Sequence, residues 1–239
     1  VSRDFIDLVD GAVRLRLDEF IAPVVRRSGG SLFELVVAVV LSQNTSDKNA
    51  FKAFENLKRR LGEITPEAIR VLPEQELAEL IRPAGMHKQR SRRLKALAEA
   101  FMASEITPAK LISMGAAEAR RLLLGLPGVG KKTADVVLVN VGLPAFPVDT
   151  HITRIARRWG IGRTYDEISR WFMDRLPPEQ YLEFHLKLIQ FGRDVCTARK
   201  PSAPCAPSAR GAPRIEASQP AGHRSSGRRL HWLVIYIYI

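Results

Sequence analysis

The chain is poor in cysteine: Cys196 and Cys205 are its only two in 239 residues. Two thiols cannot build a disulfide framework, which excludes the small secreted scaffolds that depend on one. No run of about 18 apolar residues is present, the length a membrane-spanning helix needs. The first residues are charged and amphipathic and lack the apolar core of a signal peptide. Together these absences lead to the expectation of a soluble, cytoplasmic protein without a membrane partner. The chain opens on Val1 rather than Met, which leaves its true start open. Acidic residues are scarce as well, 25 against 37 Lys and Arg, so the net charge is +12 and the pI about 10.2. Such an excess points to a polyanionic partner, most simply nucleic acid. Residues 199–239 carry +6 of it, and the body 1–198 retains the other +6.

Strands are a further absence, with none convincing before residue 230, and the body reads as all-α. With 46% hydrophobic residues it can bury a sizeable core as one large domain or two small ones. Residues 3–20 place Phe5, Ile6, Val9, Val13, Leu15 and Phe20 near helical spacing, which predicts one amphipathic helix. Ser31 and Glu34 form a capping box ahead of the Val-rich run 35–41, which lacks strand alternation and reads as a buried helix. Asp47 is expected to cap a helix over 48–61, and Pro66 and Pro108 each follow a threonine at a helix start. Helices are also expected over 74–82, 88–103, 116–124, 131–141, 166–176 and 179–191. From about residue 201 the composition turns to Ala, Pro, Ser, Arg and Gly without periodicity, which predicts disorder. The last residues, 233–239, are strand-like but isolated, and would be an aggregation hazard if exposed.

The most informative stretch is Leu126-Pro127-Gly128-Val129-Gly130-Lys131-Lys132. Pro and Gly interrupt a helix, and Gly permits the φ > 0 of a tight hairpin, so the pattern predicts helix, hairpin, helix. The unpaired amides of Gly128, Val129 and Gly130 would gather at the start of the second helix, beside Lys131 and Lys132, as a phosphate site. The spacing does not fit a nucleotide-binding P-loop. One helix further on, Asp149 of the sequence Val148-Asp149-Thr150-His151 is placed to cap the helix that begins at Thr150. On these residues alone, Lys132 serves equally as a phosphate contact and Asp149 as a simple cap.

Taken with Ser42-Gln43-Asn44-Thr45-Ser46-Asp47 and Ala84-Gly85-Met86, these motifs resemble the endonuclease III branch of the helix-hairpin-helix (HhH-GPD) DNA glycosylases, over roughly residues 10–201. The resemblance implies a two-lobed all-α fold: a helical barrel over 31–144, a second lobe from 1–30 with 145–200, and a disordered or aberrant tail, 201–239. It implies a nucleoid-associated monomer that acts on double-stranded DNA with damaged bases or abasic sites. Lys132 matches the nucleophile that attacks the sugar C1′ of a flipped nucleotide, and Asp149 the aspartate that supports that step. A lysine must be neutral to attack, and a carboxylate can stabilise the positive charge the departing base leaves on the sugar. The implied activity is removal of damaged, oxidised pyrimidines, followed by strand cleavage 3′ to the lesion through a Schiff base. A thymine or uracil mismatch glycosylase and a non-catalytic DNA-binding module remain alternatives. Asn44, with Gln43 next to it, stands where relatives carry the glutamine that fills the vacated place in the duplex, and Met86 where they carry an apolar wedge. Thr150 and His151 complete the implied DNA-binding set with Gly128, Val129, Gly130 and Lys131.

Many such relatives end in cysteines spaced C-x6-C-x2-C-x5-C around a [4Fe-4S] cluster, which the chemistry itself does not need. Counted from Cys196, the other three positions are Ala203, Ala206 and Ala212, so only one ligand is in register. Alanine fills seven of the 43 residues after Cys196, so three such coincidences would arise about once in two hundred. A TGC codon read one nucleotide late begins with GC, and every GCN codon is alanine. A reading-frame slip shortly after Pro201 therefore accounts for the alanines, the stray Cys205 and the tail, whereas deliberate Cys→Ala replacement accounts only for the first. On either account the chain is expected to lack the cluster.

Overall fold

The computed structural model describes residues 2–199. The expectations for Cys205, for Ala203, Ala206 and Ala212, and for the strand-like end fall outside those residues. Among the described residues twelve α-helices run in order: α1 (Ser2–Ala12), α2 (Ile21–Arg27), α3 (Leu32–Leu41), α4 (Asp47–Leu61), α5 (Pro66–Val71), α6 (Glu74–Leu80), α7 (His87–Ala103), α8 (Pro108–Leu124, kinked at Gly115), α9 (Lys131–Asn140), α10 (Thr150–Arg158), α11 (Tyr165–Met173) and α12 (Tyr181–Asp194). No strand occurs among the described residues, so the fold is all-α as expected. None of these helices is long and apolar enough to cross a membrane.

Most helix starts follow the sequence signals. The Ser31–Glu34 capping box forms, and all ten residues of α3 are buried, which explains why its valines show no polar alternation. Thr65 and Thr107 cap α5 and α8, each with Pro in the first turn. Two expectations fail locally. The cap of α4 is Ser46, whose hydroxyl accepts the Asn49 amide, and Asp47 becomes the first helical residue, its side chain released to pair with Arg193. The single helix expected over 3–20 stops at Ala12. Val13 and Leu15 then pack on the core at a spacing of two, a period that serves irregular, extended chain.

Two hydrophobic cores result. The first runs in sequence from Ile21 to Ala145 and is centred on α3, with Phe33 edge-on to Phe101. The second joins Phe5, Val9 and Phe20 to residues from Phe146 through Cys196, with Phe146 stacked on Phe172 at 4.5 Å. Residues 21–30, grouped by sequence with the second lobe, do not all belong there, because α2 folds back on α3 and sinks Ile21 and Val25 into the first core. The chain passes between the cores twice, at Phe20–Ile21 and at Ala145–Phe146. Helix α9 lies at their junction. It packs on α3 and α8 from one side and on α12 from the other, with Val137 and Leu138 in the first core and Val139 against the second.

Candidate active site between the two cores

The hairpin that leads into α9 is a tight turn. The Val129 amide donates to the Leu126 carbonyl at 3.1 Å, and Gly128 sits between them at φ +79°, a conformation open to glycine and strained for other residues. This corrects one expectation: the Val129 amide is used by the turn, and its side chain, 7% exposed, points into the first core. Gly128 and Gly130 remain at the surface, and no side chain caps α9, whose first-turn amides start at Lys131. A helix start of this kind, positive and uncapped, suits an anion.

Lys132, the second residue of α9, lines a cleft of about 880 Å³ between the cores. Asp149 faces the same cleft from the start of α10, where its Oδ1 accepts the Ile152 amide at 2.8 Å. Gln43, Asn44, Gly128, Gly130, Lys131, Thr150 and His151 share that lining, so residues from three separate stretches of sequence meet around one opening. Burial holds the Lys132 amine below its ordinary pKa; Arg193 pushes the same way, while Asp149 and Asp47 oppose. The shift is in the direction of the uncharged amine, the form that can act as a nucleophile.

Three titratable residues of the cleft were not singled out by sequence as functional. Asp47 and Arg193 form an ion pair at the cleft wall, one contributed by α4 and the other by α12. His185 of α12 is buried, 2% exposed, with Nδ1 2.9 Å from the Pro147 carbonyl. A carbonyl only accepts, so Nδ1 carries the proton and Nε2 is the acceptor nitrogen. Burial pushes its pKa down to about 4, helped by the Lys132 charge and opposed by Asp149 and the Pro147 carbonyl, so the ring is neutral. The one sequence signal for it was a lone histidine within an apolar helix, a pattern more often structural than functional.

The remaining predicted residues take distinct positions. Gln43 donates to the Gly128 carbonyl at 3.2 Å and to Thr133 Oγ1 at 3.1 Å, which ties its loop to the hairpin. Its neighbour Asn44 is exposed and left-handed at φ +53°. Met86, 54% exposed and at φ +50°, lies outside the main cleft, on a small hollow that it shares with Asn44. Arg90 joins the two loops: its guanidinium donates to the carbonyls of Val40, Gln43, Ala84 and Gly85. His151 is half-buried, its Nδ1 accepting from Arg154 at 3.1 Å. The helix behind it is glycine for lack of space, since a Cβ at Gly192 would lie 2.8 Å from His151 Cβ. Cys196 is buried in the second core away from the cleft, with Arg158 Nη1 3.1 Å from its sulfur.

Known proteins share this fold. The family model for HhH-GPD superfamily base excision DNA repair proteins matches residues 37–178. The chain is 36% identical over 187 residues to Endonuclease III of Sulfolobus acidocaldarius, across 77% of this chain and 82% of that protein. A solved non-covalent Endonuclease III–DNA complex superposes with a TM-score of 0.67 at 26% identity, over 87% of this chain and 92% of its own. A trapped covalent Endonuclease III–DNA intermediate does so with 0.66 at 28% identity, over 87% and 93%. The extent of these matches, together with a helix-hairpin-helix that sets a lysine and an aspartate on one cleft, places the chain in the HhH-GPD superfamily of base excision DNA repair proteins.

Proposed function

We propose that the protein is a bifunctional DNA glycosylase and abasic-site lyase that removes oxidised pyrimidines from double-stranded DNA, acting as a monomer. The observation that carries this reading is the shared cleft of Lys132 and Asp149, with the lysine biased by burial toward its neutral form. In this reading the Lys132 amine attacks C1′ of a flipped nucleotide, and the bond from C1′ to the base breaks as the base leaves with the bonding pair. Asp149 stabilises the positive charge that develops on the sugar. Opening of the sugar ring gives an iminium between Nζ and C1′. Loss of a C2′ proton then drives out the 3′ phosphate, and water releases the aldehyde and regenerates the amine.

The surrounding residues have roles in holding the duplex. The amides of Gly128 and Gly130, with Lys131, Thr150 and His151, suit the phosphates around the flipped nucleotide. Asn44 suits the place the base vacates, Gln43 holds that loop to the hairpin, and Met86 serves as the wedge that parts neighbouring base pairs. The strained backbones of Asn44 and Met86 fit this use, because such conformations cost about 1–3 kcal/mol each and persist where they serve a site.

A [4Fe-4S] cluster of the kind found in related enzymes needs four thiolates. The donor set here does not fit: the whole chain has two cysteines, and the sulfur of Cys196 already lies against the Arg158 guanidinium. No step of the reaction depends on that group. The test is a panel of duplexes carrying an oxidised pyrimidine, a mismatched thymine or uracil, or an abasic site, each incubated with and without borohydride. The reading predicts base release and borohydride-trapped adducts with the oxidised pyrimidine and trapping on the abasic site. Release only from the mismatches would replace the substrate, and binding without any release would leave a DNA-binding module.

A further inference from the structure

The two proposed catalytic groups belong to different helices packed in different cores, and something has to fix one against the other. Lys132 is held by α9, and Asp149 by the segment that enters α10. The cap at Asp149 orients its carboxylate relative to α10 but does nothing to set α10 against α9. A polar chain through Tyr165 makes that connection. On α9, one turn beyond Lys132, Asp135 is buried at 2% exposure. Arg120 of α8 grips it in a fork, Nε to Oδ1 at 2.6 Å and Nη2 to Oδ2 at 3.1 Å. The Tyr165 hydroxyl, at the start of α11, donates to Asp135 Oδ2 at 2.6 Å. The same hydroxyl oxygen accepts the amide of Val148 at 3.3 Å, and Val148 is the residue immediately before Asp149.

The surroundings keep this chain intact. Burial and the Asp135 carboxylate push the Tyr165 pKa upward, so the hydroxyl remains a donor at any working pH, while the Val148 amide and Arg120 pull weakly the other way. The Tyr165 ring is flanked by two cations, the Arg120 guanidinium at 5.9 Å and the Lys131 amine at 5.8 Å from its centroid. Lys131 is itself paired at 2.6 Å with Asp166, the residue after Tyr165. Tyr165 is thus anchored to the hairpin helix by its hydroxyl and by its neighbour, and reaches the Asp149 segment with the same oxygen.

We infer that Tyr165 is a positioning residue for the lyase reaction: its hydroxyl links the helix that carries Lys132 to the backbone that presents Asp149, and so sets the two groups in register. The inference rests on the proposed roles of Lys132 and Asp149. It does not require Tyr165 to touch DNA. Removing the hydroxyl should therefore slow the chemical step and leave duplex binding alone, and its effect should vanish once Asp149 has lost its charge. A tyrosine that merely stabilised the fold would act equally in either background.

The experiment is single-turnover borohydride trapping on an abasic duplex, with the duplex Kd measured alongside, for the full chain and for Tyr165→Phe, Asp149→Asn and the double variant. The expected result is a tenfold or greater loss of trapping rate in Tyr165→Phe with Kd changed less than twofold, and no further loss when Tyr165→Phe is added to Asp149→Asn. A wild-type trapping rate in Tyr165→Phe, or an equal loss in both backgrounds, would overturn the inference. If Tyr165→Phe fails to fold, Asp135→Asn serves as the second arm, because it weakens the same link with the ring in place. A loss confined to the Asp149 background supports the link, and a wild-type rate refutes it. If Asp149→Asn alone traps at the wild-type rate, it is the assignment of Asp149 that fails.

Discussion

Asp149 combines two roles that a single atom change can separate. Its Oδ1 caps α10, a contribution of about 1 kcal/mol, and its charge faces the cleft shared with Lys132. Asp149→Asn keeps a capping oxygen and discards the charge. The variant should unfold within about 0.5 kcal/mol of the parent, since Asn and Asp cap almost equally, yet release base at least a hundredfold more slowly; a near-normal rate would reduce Asp149 to a cap. This residue was readable from sequence because capping signals are local: the cap, the helix behind it and the motif all lie within a few positions. His185, Arg193 and Tyr165 were not readable, although each bears on the same cleft or its support. They reach it from α11 and α12, and only the packing of those helices against α9 and the Asp149 segment brings them near Lys132.

At the scale of elements, the two loops that carry Asn44 and Met86 are joined by one buried cation. Arg90 is 5% exposed and gives its donors to four backbone carbonyls, two on each loop region. Burial and the nearby Arg93 both lower its pKa, and those carbonyl dipoles are what its charge faces. Arg90→Met should cost about 2–3 kcal/mol, because carbonyls that lose a buried donor are left poorly solvated. The measurement is a lower denaturant midpoint with an unchanged m-value, together with weaker preference for damaged over undamaged duplex; unchanged stability would show that the loops hold themselves. Sequence reading found the helices on either side through their caps and apolar runs. It misplaced the start of α4 by one residue and ran α1 on past Ala12. Adjacent capping residues at Ser46 and Asp47 compete, and their tertiary partners decide between them. Likewise, Val13 and Leu15 satisfy a helical count while packing at a strand-like period.

For the whole molecule, the division into two cores with α9 at the junction makes the cleft a product of packing between them. One consequence is acid sensitivity. His185 is buried beside Pro147 with a folded pKa of about 4, below the ordinary value of 6.5. In the unfolded chain it takes up a proton near pH 6.5, whereas the folded protein resists until about pH 4. The stability tied to its neutral form is therefore complete above pH 6.5 and lost as the pH falls toward 4, at most ~3 kcal/mol over that window. Thermal unfolding followed from pH 7 to 4 should show this loss, and His185→Gln should flatten the His185 part of the curve; an unchanged slope in that variant would assign the sensitivity to carboxylates such as Glu34, whose pKa is lowered mainly by Lys58 and the Ile64 amide against the opposing effect of burial.

One amine, that of Lys132, carries the proposed chemistry. The protein is incubated with an abasic duplex under borohydride, the covalent adduct is digested, and the modified peptide is identified by mass spectrometry. The expected result is a reduced adduct on Lys132, and no adduct in Lys132→Gln while that variant binds the duplex within a few-fold of the parent. An adduct mapped to Lys131, or one that survives undiminished in Lys132→Gln, would contradict it.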